Sequence, residues 1–495
     1  MRLRELASLF TLCRIVGDGE TEINGIGLDS RQLRQGDLFV CIPGVKTDGH
    51  QYAGQAQAAG AAALVVEREL DVALPQLVVK EARQAMAAIA SHLYGYPSRT
   101  LRVIGVTGTN GKTSTACMIE HLLRSAGQET GLMGNLGVKI GSDLLPVSLN
   151  TQESHDLHRY FRMMLDQGAS YCAMEVSSMG LAMGRVKGCE FRTAVFTNLT
   201  QDHLDDHKTM DNYKAAKGLL FSRLGNGFHA EPEKRRFAVL NADDPVSAEY
   251  ARLTTAEVIT YSLHPGADVY AEEVRVTPGG NRFRLRSFAG AAEISMKLVG
   301  KFNVSNALAA AGAALAEGLT VDQVQAGLAT MPVVSGRMEL VDGGQQYLVI
   351  VDYAHTPDGL DNALSTIREF AQGRVITVFG CGGDRDRTKR PIMGRIAAQY
   401  SDVVIVTSDN PRSENPESIL QEIVPGLQEA GLAEHQYTLL ADRKAAIQKA
   451  VEIAGPDDVV LIAGKGHETY QIIHGVSYDF DDRIVAREAI RGVLR

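Results

Sequence analysis

The run of ~18 consecutive apolar residues that a membrane-spanning helix needs occurs nowhere in the chain, so no transmembrane segment is expected. The N-terminal MRLRELASLF holds charge and a few apolar residues, but the residues after it are too polar for the apolar core of a secretory signal. A basic excess is lacking too. Lys and Arg number 50 against 59 Asp and Glu, a net charge of −9. That balance argues against bulk binding of nucleic acid or an anionic membrane and leaves room only for a local basic site. The six cysteines (Cys13, Cys41, Cys117, Cys172, Cys189 and Cys381) form no CxxC pair and no metal-ligand cluster. They read as scattered reduced thiols, which places the chain in the cytoplasm. Internal repeats and low-complexity tracts are absent.

What is present is enough for several cores. Hydrophobic residues make up 45% and charged residues 22% of 495 residues, a globular balance at a length of about three domains. Residues 1–97 alternate short strands (DLFVCIPG, AALVVE, PQLVV) with Ala-rich helices, and Gly95-Tyr96-Pro97-Ser98 reads as a linker. Residues 98–334 hold strand candidates YCAMEVSS, TAVFTNL and RFAVLNAD, a β-rich stretch over 257–299 and an Ala-rich helix from near Asn303. Over 335–495 the alternation becomes regular: YLVIVDYA, RVITVFGCG, DVVIVTSDNP, QYTLLAD and DVVLIAGKG, with a helical pattern after each of the first four. The expected class is α/β in three domains: a small N-terminal α/β domain, a central P-loop-type ATPase domain with a parallel-rich sheet, and a C-terminal Rossmann-like, doubly wound sheet. In such sheets ligands sit beyond the carboxyl ends of the strands. The polar signatures fall there: Asp352 to His355, Gly380 to Asp386, Asp409 to Arg412 and Gly464 to Glu468.

Residues 105–115 read GVTGTNGKTST, between an apolar strand-like run and a helix-like run. A glycine-rich turn at that junction aims backbone N–H groups and a helix N-terminus at an anion. Lys112 can reach terminal phosphates, and the Thr113 hydroxyl a Mg²⁺ ion. The strict P-loop pattern wants a glycine where Val106 stands, so TGTNGKT is a variant of it. Glu175 closes YCAME, the strand-end position of an acid that serves Mg²⁺ in P-loop domains. TNLTQDHLDDH (197–207) crowds two histidines and three aspartates into one stretch. That spacing fits no zinc motif, and it leaves His203 open between a metal or base role and an ordinary surface histidine. Lys217, in YKAAKGLLF, has apolar neighbours that can lower its pKa, though spacing alone does not select it. GCGGDRDRTKRP places Arg385, Arg387, Lys389 and Arg390 around a glycine turn, and SDNPRSENP adds Asp409 and Arg412. Acid and arginine together suit a zwitterion such as an amino acid.

Taken in order, LDSR (28–31), GDLFV (36–40), GVTGTNGKTS (105–114), MEVSS (174–178), FTNLTQDHLDDH (196–207), YKAAK (213–217), KFNVSNALAA (301–310), SGRME (335–339), VDYAHTPD (351–358), GCGGDRD (380–386), DNPR (409–412) and AGKGHE (463–468) span the chain. In these motifs the sequence resembles the Mur ligase family of peptidoglycan synthesis. The resemblance implies an ATP-dependent amide ligase acting on UDP-N-acetylmuramoyl-L-alanyl-D-glutamate (UDP-MurNAc-L-Ala-D-Glu) through an acyl phosphate, with Mg²⁺ as cofactor. It implies a monomer with small-molecule partners only, neither binding nucleic acid nor inserting in a membrane. It assigns Gly108, Thr109, Asn110, Gly111, Lys112, Thr113, Ser114, Asn303, Asn306, Arg337 and Asp352 to ATP, with Asn303 and Asn306 at the adenine. Thr113, Glu175 and His203 become metal ligands, and Lys217 a carbamylated lysine (N6-carboxylysine). Lys112, Lys217, His203 and Glu175 form the catalytic set. Ser30, Arg31 and Gly44, with Asp48 nearby, fall to the uridine end of the substrate, and Asn150, Thr151, Gln152, Ser177 and Arg185 to the muramoyl-dipeptide.

DNPR resembles the form found in members that add meso-diaminopimelate; lysine-adding members read differently there. Arg385, Asp409, Asn410, Pro411, Arg412, Gly464 and Glu468 are the implied amino-acid contacts. The rivals are a lysine-adding or folylpolyglutamate-synthase-like ligase and a non-catalytic muropeptide sensor. Three departures fall at the muramoyl-peptide region: Met179 for a usual histidine, Met183 for a usual glutamine, and NTQES (150–154) for TTPES. A thioether packs but makes no strong hydrogen bond.

Overall fold

The computed structural model describes residues 1–44, 47–147 and 149–494. They form two compact α/β units: one of residues 1–105, 128–194 and 229–236, the other of 106–127, 195–228 and everything from 237 onward. Among the described residues no helix is long and apolar enough to cross a membrane.

The first unit holds a five-stranded sheet in the order Cys13–Val16, Gln76–Val79, Ala63–Val66, Asp37–Val40, Gly25–Gly27. All pairs are parallel except the first. The LFV and LVV runs are buried on both faces, as parallel strands between covering layers must be. Leu38, Val40 and Val65 face one core with Met86 and Ile89 of helix Ala82–Leu93, while Phe39, Leu64 and Val66 face the other with Ala53 and Ala56. The same unit carries strand Tyr171–Glu175, parallel to Thr130–Gly134, and helix Ser154–Asp166. Glu175 therefore stands at a strand's carboxyl end. Strands Cys13–Val16, Gly25–Gly27, Thr130–Gly134 and Gly137–Ile140 are too short or too glycine-rich to announce themselves in the sequence.

In the second unit, strands Phe237–Asn241, Glu257–Ser262 and Val269–Thr277 pair in parallel, and hairpin strands Gly280–Ser287 and Gly290–Met296 continue antiparallel. Helix Lys301–Ala316 is apolar nearly all round and buried along almost its whole length. Its alanines and Gly312 let it lie close on the sheet: a Cβ at Gly312 would meet Val239 Cγ1 at 3.1 Å.

The C-terminal sheet of this unit runs Glu339–Leu340, Leu348–Asp352, Val459–Ala463, Val375–Phe379, Val403–Thr407, Tyr437–Leu440. Its five long strands are parallel, and the short edge strand is antiparallel. Helices Pro357–Phe370, Lys389–Tyr400 and Pro416–Glu429 cover one face, and Arg443–Ile453 and Asp482–Val493 the other. That is the doubly wound sheet expected from the alternation. Its last strand returns to the middle, between the first and second, which creates the switch point at which such sheets bind ligands.

Candidate active site

The glycine-rich turn of the second unit takes the shape its sequence demands. Gly111 has φ +85° and Gly108 φ +151°. A side chain at Gly108 would overlap the Thr197 hydroxyl, and one at Gly111 the Asn306 amide oxygen. The turn is pinned at Asn110: its N–H donates to Asn198 Oδ1 (2.9 Å), and its carbonyl accepts from Thr197 Oγ1 (2.6 Å). Helix Lys112–Ser125 starts immediately after, and its N-cap position is Gly111, which has no side chain to cap it. Its first N–H groups and its dipole therefore point where an anion fits.

Two ammonium groups meet on one oxygen of this turn. Lys112 Nζ donates to Gly108 O at 2.9 Å and to Thr109 O at 2.7 Å, and Lys217 Nζ donates to Gly108 O at 2.7 Å. Lys217 is 1% exposed, on helix Met210–Ser222, with its ammonium 4.3 Å from the Tyr213 ring centre. Burial, then repulsion from Lys112, pushes its pKa far below the ordinary amine value, against the pull of Asp202. The amine is thus held toward its neutral, nucleophilic form.

His203 takes φ +55° just ahead of the short turn Leu204–His207. Its Nε2 lies 3.3 Å from Asp202 Oδ2, with 41% of the side chain exposed. Desolvation pushes its pKa down to about 4, Asp202 opposing and Lys112, Lys217 and His355 assisting. A neutral imidazole keeps a lone pair for a cation. Ligand atoms of His203, Asp205 and Asp206 all lie within 4.8 Å of one another. Burial raises the Asp202 carboxyl, but His203, Lys389 and His355 together bring it to about 2. In the first unit, Glu175 Oε1 accepts the N–H of Asn135 at 2.8 Å, and a Cβ at Gly134 would overlap that oxygen.

Arg337 reaches the same turn: Nη2 donates to Thr113 Oγ1 at 3.1 Å, and the guanidinium stacks 4.4 Å from the Tyr353 ring centre. Its Nε is buried and has no partner among the described residues. Asp352 accepts the N–H groups of Met338 (2.7 Å) and Ala354 (2.8 Å). Burial raises its pKa, with Arg337 and those N–H groups opposing. Its structural work is to fix the turn that carries Arg337. Asn303 and Asn306, expected at the adenine, are buried and committed inward. Asn303 Nδ2 donates to Val299 O (2.8 Å), and Asn306 joins Asn303 Oδ1 (3.1 Å) to Thr115 Oγ1 (3.3 Å). They brace the phosphate turn from beneath. Ser114 is buried in the helix's first turn.

The strand tails of the C-terminal sheet converge as the topology requires. Asn410 is buried; its Nδ2 donates to Glu468 Oε2 (2.9 Å), and its Oδ1 accepts from Ile472 N–H (2.9 Å) and Lys465 Nζ (3.3 Å). Lys465, fully buried, also donates to Glu468 Oε2 at 2.9 Å. Arg412 has φ +53° and donates from Nη1 to Gly383 O at 2.7 Å. A Cβ at Gly382 would meet Arg412 Nη1 at 2.8 Å and Arg385 Cγ at 3.8 Å, so both arginines flank one glycine. Asp409 lies against Gly464, where φ is +117° and a Cβ would fall 2.6 Å from Asp409 Oδ2. Pro411 is buried beside Asn410.

The four basic residues of 385–390 do not act together. Arg385 is half-exposed at the tails, 3.9 Å from Asp205. Lys389 donates to His355 O at 3.0 Å. Arg390 is fully buried against Glu414 and Glu422, and Arg387 also pairs with Glu422. The last two are structural. Sequence reasoning gave no role to Lys465, Asp202 or Tyr213; Lys465 reaches Asn410 and Tyr213 reaches Thr109, each on a distant part of the chain.

In the first unit, Arg31 is held by Asp29 with its side chain 85% exposed, and Ser30 Oγ lies 3.4 Å from Gln55 Oε1. Gly44 N–H donates to Thr47 O (2.9 Å), where a Cβ would crowd that oxygen. Asp48 is held well below the usual carboxylate range by Arg68 and the N–H and ring of His50. Thr151 Oγ1 bridges Glu175 O (3.1 Å) and Ser177 N–H (3.0 Å). Ser177 Oγ caps the next turn at Gly180 N–H (3.0 Å). Arg185 donates to Glu153 Oε1 (3.1 Å), Thr151 O (3.3 Å) and Met183 Sδ (3.4 Å). The thioether of Met183 thus sits as a weak acceptor on an arginine, and Met179 is half-buried close by in sequence. Asn150 is exposed, whereas Gln152 is buried and its Oε1 has no partner among the described residues.

Three family models match the chain: "Mur ligase family, catalytic domain" over residues 22–94, "Mur ligase middle domain" over 106–314, and "Mur ligase, glutamate ligase domain" over 336–466. The UDP-N-acetylmuramoyl-L-alanyl-D-glutamate–2,6-diaminopimelate ligase of Geobacillus kaustophilus is 50% identical over 473 residues, 96% of either chain. The protein of that name from Bacillus cereus is 48% identical over 494 residues, 100% of this chain and 99% of its own. A solved structure of a ligase of that name superposes with a TM-score of 0.68 at 34% identity, covering 100% of this chain and 99% of the other.

Proposed function

The chain belongs to the Mur ligase family, and from that premise we propose that it is an ATP-dependent ligase joining meso-diaminopimelate to the D-Glu of UDP-MurNAc-L-Ala-D-Glu in peptidoglycan precursor synthesis. One observation carries the reading. The phosphate turn and the strand tails meet within one unit: Arg337 is on Thr113, and Gln201 Nε2 donates to Thr388 Oγ1 at 3.0 Å beside Arg385. A phosphoryl group and an amino acid can therefore be held close together.

Residues 1–97 take the uridine end, 98–334 the nucleotide, and 335–495 the amino acid. The γ-carboxylate of D-Glu attacks the γ-phosphorus of ATP; the bond to the bridging oxygen breaks and ADP leaves. The amine of diaminopimelate, stripped of its proton, then attacks the acyl carbon, and phosphate departs. Lys112, the helix N-terminus behind it and Arg337 stabilise the charge that gathers on the transferring oxygens. The partnerless Arg337 Nε gives that arginine a spare donor. His203, Asp205 and Asp206, two carboxylates and a neutral imidazole, fit a hard divalent cation. Thr113 is the further ligand expected from the same unit. A bound Mg²⁺ would neutralise phosphoryl charge. The buried neutral amine of Lys217 adds to CO₂ and loses one proton to solvent, leaving a carbamate anion beside Lys112.

Arg385 and Arg412 receive the distal carboxylate of diaminopimelate, and Asn410 and Glu468 its ammonium. L-Lysine lacks that carboxylate, so it would offer neither arginine an ion-pair partner. One copy supplies every group named, so a monomer suffices, and its nucleotide-linked substrates suit the cytoplasm. The test is phosphate release with each substrate omitted in turn, paired with mass spectrometry of the product. Release should require all three substrates and match the tripeptide one for one; rapid release without amino acid would contradict the mechanism.

A further inference from the structure

One buried cation stands behind the amino-acid site and enters no step of the chemistry. Arg443 opens helix Arg443–Ile453 and is 1% exposed. It forks onto Asp482, at the start of helix Asp482–Val493, through Nε to Oδ1 (2.8 Å) and Nη2 to Oδ2 (2.7 Å). Neither side chain of the pair has any exposure. The remaining donations go to backbone: Nη1 to Ser408 O (3.2 Å) and Nη2 to Ala463 O (2.9 Å).

Those two carbonyls are not arbitrary. Ser408 directly precedes Asp409 to Arg412, and Ala463 directly precedes Gly464 to Glu468. Their strands, Val403–Thr407 and Val459–Ala463, are not neighbours, because Val375–Phe379 runs between them. No ladder hydrogen bond links the two tails, so the planar guanidinium spans the gap. The tails also touch directly, at Asp409 against Gly464 and at Asn410 against Glu468. A fully buried ion pair gains little stability over an apolar pair of the same volume; what it supplies is a fixed position.

We propose that the Arg443–Asp482 pair is a positioning clamp for the amino-acid site. It fixes the separation of the two tails and thereby the match of Asn410, Arg412 and Glu468 to the far end of diaminopimelate. The clamp rests on the diaminopimelate reading of the site and adds the residues that tune it.

The test uses three variants of the full chain: Arg443→Lys, Asp482→Asn, and the double variant Arg443→Met with Asp482→Leu, which restores volume without charge. KM for diaminopimelate, KM for ATP, kcat and Tm are measured for each. In folded variants KM for diaminopimelate should rise about tenfold or more, with KM for ATP and kcat at saturation within about twofold. The preference for diaminopimelate over L-lysine should fall in parallel. The double variant separates the clamp from simple packing: it should keep a native Tm yet retain the raised KM. A double variant with wild-type KM overturns the clamp, as does a folded single variant whose KM does not move. Wild-type enzyme is run alongside. If it uses diaminopimelate while the variants match it, only the clamp falls; if wild type does not use diaminopimelate, the parent reading and the clamp fall together.

Discussion

Lys217 and Lys112 donate to the same carbonyl oxygen, that of Gly108, at 2.7 and 2.9 Å. Burial first, and repulsion from Lys112 second, hold Lys217 toward the neutral amine. On the proposed mechanism, a neutral, buried amine beside Lys112 is poised for carbamylation. Carbon-13 NMR of protein equilibrated with labelled bicarbonate should give one carbamate signal that Lys217→Arg lacks. Lys217→Ala should lose about 10²–10³-fold in kcat, and added acetate should restore part of it by supplying the missing anion.

Arg337 spans from the third segment of the chain to Thr113. On the proposed mechanism it serves the phosphoryl-transfer step, so Arg337→Ala should lower kcat by about 10²-fold and leave KM for diaminopimelate within about twofold. Steady-state kinetics with each substrate varied in turn checks the split.

Gly464 needs both its φ of +117° and its lack of a Cβ, which would fall 2.6 Å from Asp409 Oδ2. Gly464→Ala should therefore displace the tail that carries Glu468. The expected result is a KM for diaminopimelate raised about tenfold or more, with ATP binding by calorimetry unchanged.

His158 is wholly buried and edge-on to Phe161, with the backbone of Lys187 at its ring. Burial pushes its pKa down to about 4 from 6.5. The unfolded chain then binds the proton more readily than the folded one, so stability is full above pH 6.5 and is lost as pH falls toward 4. At pH 5 the linked loss is about 2 kcal/mol. Denaturant unfolding of His158→Phe should show a flatter pH profile over that window than wild type; equal slopes would place the effect elsewhere.

Much of this was legible in the sequence where the signal is local. GTNGKT sits between a strand and a helix and names its own chemistry. The regular alternation after residue 335 gave the doubly wound sheet and the edge on which its tails meet. What pairing decides was hidden. Asn410 and Glu468 lie 58 residues apart, and Arg443 and Asp482 39 apart. Nothing along the chain says that Arg390 is buried against two glutamates while Arg385, five residues earlier, reaches outward. Nor does it say that Asn303 turns its amide to Val299. Short-range pattern reports an element's type, whereas a side chain's role depends on which distant partner reaches it first.

On the proposed reading, this site selects diaminopimelate through its second carboxylate. The direct measurement is kcat/KM for meso-diaminopimelate and for L-lysine, with ATP, Mg²⁺ and UDP-MurNAc-L-Ala-D-Glu saturating, on wild type and Arg412→Ala. Wild type should favour diaminopimelate by about 10³-fold or more, and Arg412→Ala should erase most of that ratio by its loss on diaminopimelate alone. Comparable turnover of both amino acids by wild type, or a variant that keeps the ratio, would contradict the account.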